Sequence, residues 1–223
     1  VGTLRKITTI VRVRDFANVN PLEGKITLVI SDETYLAPML KLFWEKFGKD
    51  QVEQGSIIIT SSWEKYSNHA AALNAKVSGH YVNSVIAKLE AVQHGCDEAL
   101  MLNGNGTVAE GTGENVFMVK NQKLFTPPVS AGILEGITRD CIMTIGRDLG
   151  YEVVEKDITR SELYMADEVF MTGTAAEISP IRSIDNRSIA EGKIGPVTKQ
   201  LGVVFHKAAM GEDPRYAQWL TLV

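Results

Sequence analysis

The sequence predicts a mixed α/β fold whose sheet is not purely parallel. Short runs rich in β-branched residues alternate with helix-period segments along the chain. Several of those runs are joined by hairpin-length turns rather than by helices, which strict βαβ alternation would not give. The 223 residues, 44% hydrophobic and 22% charged, have ordinary globular composition and can bury a large core.

Leu4–Val13 and Lys25–Ile30 are expected as strands, and Met39–Phe47 as a helix broken by Gly48-Lys49-Asp50. Because no Met opens the chain and a strand already runs near its start, a preceding segment is expected. Ser56–Ser61 is a buried-strand run. Asn83–His94 is expected as a helix with Val85, Ile86, Leu89 and Val92 on one face and Gly95 as the residue that stops it.

Glu98–Leu102, Val108–Ala109 and Val116–Lys120 are short strands separated by glycine-rich turns such as Asn103-Gly104-Asn105-Gly106. Lys123–Thr126 completes a hairpin with Val116–Lys120, turning at Asn121-Gln122. Ile137–Leu149 is a helix ended by Gly150, and Glu152–Val154 a strand. A short helix starts at Ser161-Glu162-Leu163, and Glu168–Met171 is a strand running into the turn Thr172-Gly173-Thr174. Pro196–Met210 is the last helix.

The net charge of −4 and pI near 5.6 give no basic surface for a polyanion, so nucleic acid is not an expected partner. Cys96 and Cys141 form no CxxC and have no histidine at zinc spacing, so no metal site and no disulfide framework are expected. No apolar run long enough to span a membrane and no signal-peptide pattern occurs, and the chain reads as cytoplasmic.

Four segments could carry chemistry. Leu134-Glu135-Gly136-Ile137-Thr138 places free amides at a helix start, where an anion is favoured, although Thr138 could equally be a plain N-cap. Thr172-Gly173-Thr174-Ala175-Ala176 joins a strand end to small residues that allow close backbone approach to a ligand, or is simply a tight turn. Glu110 follows a strand among small residues, where a carboxylate stays ionised if a cation pairs with it or if it caps nearby amides. Lys76, in Ala75-Lys76-Val77-Ser78-Gly79, is either a surface charge or an amine made nucleophilic by desolvation.

Taken in this order, the segments resemble the class IV aminotransferases, the fold-type IV family of pyridoxal-phosphate enzymes. The resemblance runs through Glu110-x-Thr112-x-x-Asn115-Val116-Phe117, Leu124-x-Thr126 and Leu134-x-Gly136-Ile137-x-Arg139, and covers about Gly55 to Met210. Gly79–Ser84, Ala166–Glu177 and Gly195–Thr198 are most similar to branched-chain amino acid aminotransferases.

The resemblance implies pyridoxal 5'-phosphate as cofactor, held by Lys76 as a Schiff base, with Glu110 as partner of the pyridine nitrogen and Tyr81 at the phenolic oxygen. It implies Leu134, Ile137, Thr138, Gly173 and Thr174 at the cofactor, and Ala175, Ala176 and Tyr81 at the substrate. Amino acids and 2-oxo acids would be the substrates, branched-chain L-amino acids with 2-oxoglutarate above all, and a homodimer the working form. Residues 1–50 would be the terminal part of a small domain otherwise without counterpart here, and residues 51–223 the large cofactor-binding domain. A D-amino-acid or (R)-amine transaminase, an aminodeoxychorismate lyase, and a non-catalytic dimerising or ligand-binding fragment remain alternatives.

Overall fold

The computed structural model describes residues 54–174 and 176–220. The chain divides into two compact units, Asp50–Val203 and a second made of Val1–Lys49 with Val204–Val223. The elements expected at Leu4–Val13, Lys25–Ile30 and Met39–Phe47 lie outside the described residues.

Among the described residues nine strands form one mixed sheet in the order β3-β2-β1-β8-β7-β4-β5-β6, with β9 paired to β8. They are β1 Ser56–Thr60, β2 Glu98–Leu102, β3 Val108–Gly111, β4 Asn115–Lys120, β5 Lys123–Thr126, β6 Glu152–Glu155, β7 Glu168–Gly173, β8 Glu177–Ile184 and β9 Arg187–Ser188. The pairs β1–β2, β1–β8 and β5–β6 are parallel, while β2–β3, β4–β5, β4–β7, β7–β8 and β8–β9 are antiparallel. The mixed sheet expected from the hairpin spacing is present. The β4–β5 hairpin turns at Asn121 and Gln122, whose φ angles of 50° and 62° match the right-handed twist of its arms.

Among the described residues four α-helices accompany the sheet: α1 Tyr81–Gln93, α2 Ile137–Asp148, α3 Arg160–Tyr164 and α4 Pro196–Met210. Helix α3 is fixed by a capping box, with Glu162 N donating to the Thr159 side chain and Thr159 N to the Glu162 carboxylate. The start of α4 is held by Glu168, whose buried carboxylate accepts from Val197 N, Thr198 N and Thr198 Oγ1 at 3.0, 2.7 and 2.6 Å.

The central strands are buried on both faces. One face carries Ile58, Leu100, Val116, Met118, Val169 and Ile181 in a single cluster. On the other face of β4 and β7, Phe117 and Phe170 pair across the strands and stack with ring centroids 5.1 Å apart. Each such fully buried side chain contributes roughly 1.5–3 kcal/mol. Helix α2 lies on the sheet face that carries Leu124, close enough that a Cβ on Gly146 would stand 2.6 Å from Leu124 Cδ1.

Helix α1 differs from expectation in its face. Its buried residues are Asn83, Ser84, Ala87 and Ala91, and Ala87 and Ala91 pack on Ala99 and Met101 of β2. Val85, Leu89 and Val92 are 54%, 55% and 58% exposed, so the apolar stripe read from the sequence is not the face that meets the sheet. Small residues win there because they let the helix backbone approach β2 closely.

Strand β8 was not expected. Pro180 lies inside it, and proline reads as a strand breaker. The ladder with β1 begins only at Ile181, one residue beyond the proline, and shifts register between Ser56 and Ile57. Two strands also run further than expected. Glu110 lies within β3 rather than after it, and Thr172 and Gly173 belong to β7 rather than to a turn. Among the described residues no helix is long and apolar enough to cross a membrane.

Candidate active site

Strand β3 carries Glu110 opposite Met101 of β2, with the register shifting at the next pair. Glu110 is buried and has defined partners on both carboxylate oxygens. Lys65 Nζ is 2.7 Å from Oε1, forming an ion pair in which both side chains are almost wholly buried. Oε2 accepts from Leu134 N at 3.0 Å and from Asn115 Nδ2 at 3.1 Å. Burial pushes the carboxyl above its ordinary range, and the charge and hydrogen bond of Lys65, the Leu134 amide and the more distant charge of Lys76 oppose that rise.

Asn115, the first residue of β4, ties three segments together. Its amide nitrogen donates to Glu110 and also to Leu134 O at 2.8 Å. Its oxygen is so close to Gly136 that a Cβ there would stand 2.1 Å away, so only glycine fits that position. Gly136 is the N-cap of α2 and makes no side-chain cap. Among the described residues no hydrogen bond is made by the first-turn amides of Ile137, Thr138 and Arg139, which stand at the positive end of the helix, where an anion is favoured. Thr138 is buried in that first turn and is not the N-cap.

Arg139, also quoted in the sequence pattern, is a structural anchor. Its guanidinium is buried and donates to Pro127 O at 2.9 Å and to Glu155 Oε2 at 2.7 Å, fixing the start of α2 against the strand ends.

The end of β7 reaches the same place. Asn115 pairs with Thr172 across the strands, and a Cβ on Gly173 would stand 3.3 Å from Glu114 Cγ. Among the described residues the buried Thr172 hydroxyl has no hydrogen-bond partner, nor has His80 Nδ1 beside Tyr81. Thr174 is exposed and Ala176 half-buried, while Ala175 lies outside the described residues. Glu114 is pushed up to about 7 by burial and then by the negative charge of Glu98.

Lys76 stands just before the 3-10 turn Ser78–His80, with Nζ 5.9 Å from the Tyr81 ring centroid. It is exposed, as are its neighbours Asn74–Gly79, so the desolvated setting expected from its small and apolar neighbours is not found. No strand or helix includes Asn74–Val77. The charge of Lys76 nevertheless acts on Glu110.

Glu110, Leu134, Gly173 and the start of α2 are thus brought into one connected cluster through Asn115, while Lys76 is linked to Glu110 by its charge and to Tyr81 by lying over its ring. Lys65 carries no periodic or glycine-rich signal in the sequence, and its part depends on a contact forty-five residues away that the ion pair reveals. The two cysteines are free, and burial pushes the Cys141 thiol up to about 11, so it offers no thiolate nucleophile at neutral pH.

Residues 9–184 match the family described as amino-transferase class IV. A probable branched-chain-amino-acid aminotransferase of Aquifex aeolicus is 46% identical over 217 residues, covering 95% of this chain and 69% of the relative. The crystal structure of a branched-chain aminotransferase from the archaeon Thermoproteus uzoniensis with norvaline is similar at a TM-score of 0.74 and 44% identity, over 77% of this chain and 56% of that one. The branched-chain amino acid aminotransferase of Thermobaculum terrenum in its PLP form is similar at a TM-score of 0.73 and 44% identity, over 74% of this chain and 54% of that one. The chain therefore spans little more than half the length of those solved structures. With the family match extending over most of its length, and the quoted pattern folded into one cluster, the chain belongs to the class IV aminotransferase family.

Proposed function

We propose that this chain forms the cofactor-binding part of a pyridoxal-phosphate-dependent aminotransferase acting on branched-chain L-amino acids with 2-oxoglutarate. The observation that carries the reading is Glu110, a buried carboxylate with Lys76 in electrostatic reach. The residues present fit the cofactor. A carboxylate has about four acceptor directions, and the three contacts on Glu110 leave capacity for one more donor such as a protonated ring nitrogen. The uncapped start of α2 and the unpartnered Thr172 hydroxyl offer donors to an anionic group.

When bound, pyridoxal phosphate supplies an electron-poor ring that stabilises negative charge developing at the substrate Cα. Glu110 holds the proton on the ring nitrogen by pairing with it, in a buried site where that pairing is strong. The Lys76 amine would hold the cofactor and would serve as general base for the substrate Cα proton. Its exposure leaves it accessible for both tasks. Leu134 orients Glu110 through its amide, and Ile137, Thr138, Gly173 and Thr174 would hold the phosphate. Tyr81 would face the ring's phenolic oxygen, and Ala176 the substrate side.

The names of the relatives support the substrate class, and so does norvaline, the aliphatic amino acid in the archaeal structure. Small groups at Ala175 and Ala176 suit an aliphatic side chain, and an apolar pocket separates neighbouring aliphatic substrates by only about 1–3 kcal/mol, so leucine and valine both react. The working enzyme is a cytoplasmic homodimer. The test is a panel of L- and D-amino acids and primary amines offered to the full-length protein with 2-oxoglutarate. Preference for L-leucine, L-isoleucine and L-valine supports the reading. Preference for D-alanine or an (R)-amine overturns the substrate assignment.

A further inference from the structure

We propose that Lys65 is a positioning residue of this site: its ammonium, 2.7 Å from Glu110 Oε1, aims the Glu110 carboxylate and keeps it charged for the ring nitrogen. The proposal rests on the cofactor reading above. It starts from an otherwise unexplained feature, a lysine whose side chain is 11% exposed and ends on an 8% exposed carboxylate. Burying a cation is costly, and a buried pair holds only where geometry and further hydrogen bonds compensate.

That geometry is built from the backbone upward. Lys65 N donates to Leu102 O at 2.8 Å, which fixes the loop to the end of β2. Asn83, buried at the start of α1, clamps the residues on either side. It donates to Glu64 O at 3.0 Å and accepts from Tyr66 N at 3.3 Å. The loop before Lys76 is therefore held at three successive residues, with Lys65 in the middle aimed at β3.

The consequence is electrostatic. Lys65 touches the carboxylate itself, so its charge favours the ionised form of Glu110 over the protonated one. A proton shared between Glu110 and a ring nitrogen is thereby shifted toward the nitrogen. The opposite oxygen of Glu110 is held by Asn115 and Leu134 N, so Lys65 also completes a grip on both oxygens and fixes the rotation of the carboxylate plane.

Lys65→Met removes the charge at nearly constant volume, and Lys65→Arg keeps it. The first readout is Glu110 titration in the cofactor-free full-length protein, followed by carbon NMR of labelled glutamate and assigned with Glu110→Gln. The second is the pH profile of pyridoxal phosphate affinity, read by absorbance. Lys65→Met should raise the Glu110 midpoint by about one unit or more and weaken cofactor binding about tenfold at neutral pH, while Lys65→Arg stays within about threefold of the parent. A Lys65→Met protein that matches the parent in either readout overturns the proposal, as does a Lys65→Arg protein equally defective. If Lys65→Met does not fold, recovery of folding in the Lys65→Met/Glu110→Gln double variant upholds the pair, and no recovery overturns it. A parent that takes up no pyridoxal phosphate sinks the cofactor reading, while the Glu110 titration still judges Lys65.

Discussion

A Cβ placed on Gly136 would stand 2.1 Å from Oδ1 of Asn115, the residue that hydrogen-bonds Glu110. One glycine at the helix start thus sets the position of the amide that orients the buried carboxylate. Gly136→Ala should push Asn115 away, cost about 1–3 kcal/mol of stability, and weaken cofactor retention. Gly113→Ala is the control, because nothing lies within 4 Å of its added Cβ. Denaturant unfolding of the two variants checks this, and equal stability would show that Asn115 yields freely.

Glu110→Gln should keep the fold and lose most of the rate. The amide can still hydrogen-bond but carries no charge to balance a protonated ring nitrogen. A positioned buried charge of this kind is worth roughly two to four orders of magnitude in rate. Steady-state turnover with L-leucine measures it, and a rate within about threefold of the parent would make Glu110 a structural carboxylate.

Much of the frame that holds this site is legible in the sequence, because it rests on local signals. The Asn121-Gln122 hairpin, the helix starting after Gly136 and the helix at Pro196–Met210 follow from turn chemistry and apolar period. Three features depend on distant partners instead. Pro180 hides β8, although its neighbours pair with both β1 and β7. The alanines of α1, not its valines, meet β2. Lys65 gains its meaning only when β3 is folded beside it.

Arg139→Met should destabilise the protein by about 2–3 kcal/mol, the worth of charge-assisted hydrogen bonds lost from a buried guanidinium. The partners left behind are Pro127 O and the half-exposed Glu155, which water can reach, so the cost stays below that of a fully buried broken pair. Urea unfolding measures it. Because Arg139 has no contact with Glu110 among the described hydrogen bonds, cofactor affinity should change far less than stability.

Glu114 predicts a pH dependence. Its carboxyl is raised from 4.5 to about 7 by burial and by Glu98. The protonated form is the one the fold favours, so its contribution is full below the unfolded value near 4.5 and is lost as pH rises through about 7. The cofactor-free protein should therefore lose on the order of 2–3 kcal/mol between about pH 5 and pH 8. Glu114→Gln should flatten that slope, and an unchanged slope would place the titration elsewhere.

The most direct measurement is transamination of L-leucine with 2-oxoglutarate by the full-length protein and its Lys76→Ala variant, both loaded with pyridoxal phosphate. The side chain is exposed and not part of the core, so the variant should fold like the parent by circular dichroism. The parent should turn over and lose its yellow colour on adding L-leucine. The variant should do neither, because only the lysine amine can attach the cofactor and then move the Cα proton. Near-normal transamination by Lys76→Ala would contradict the account.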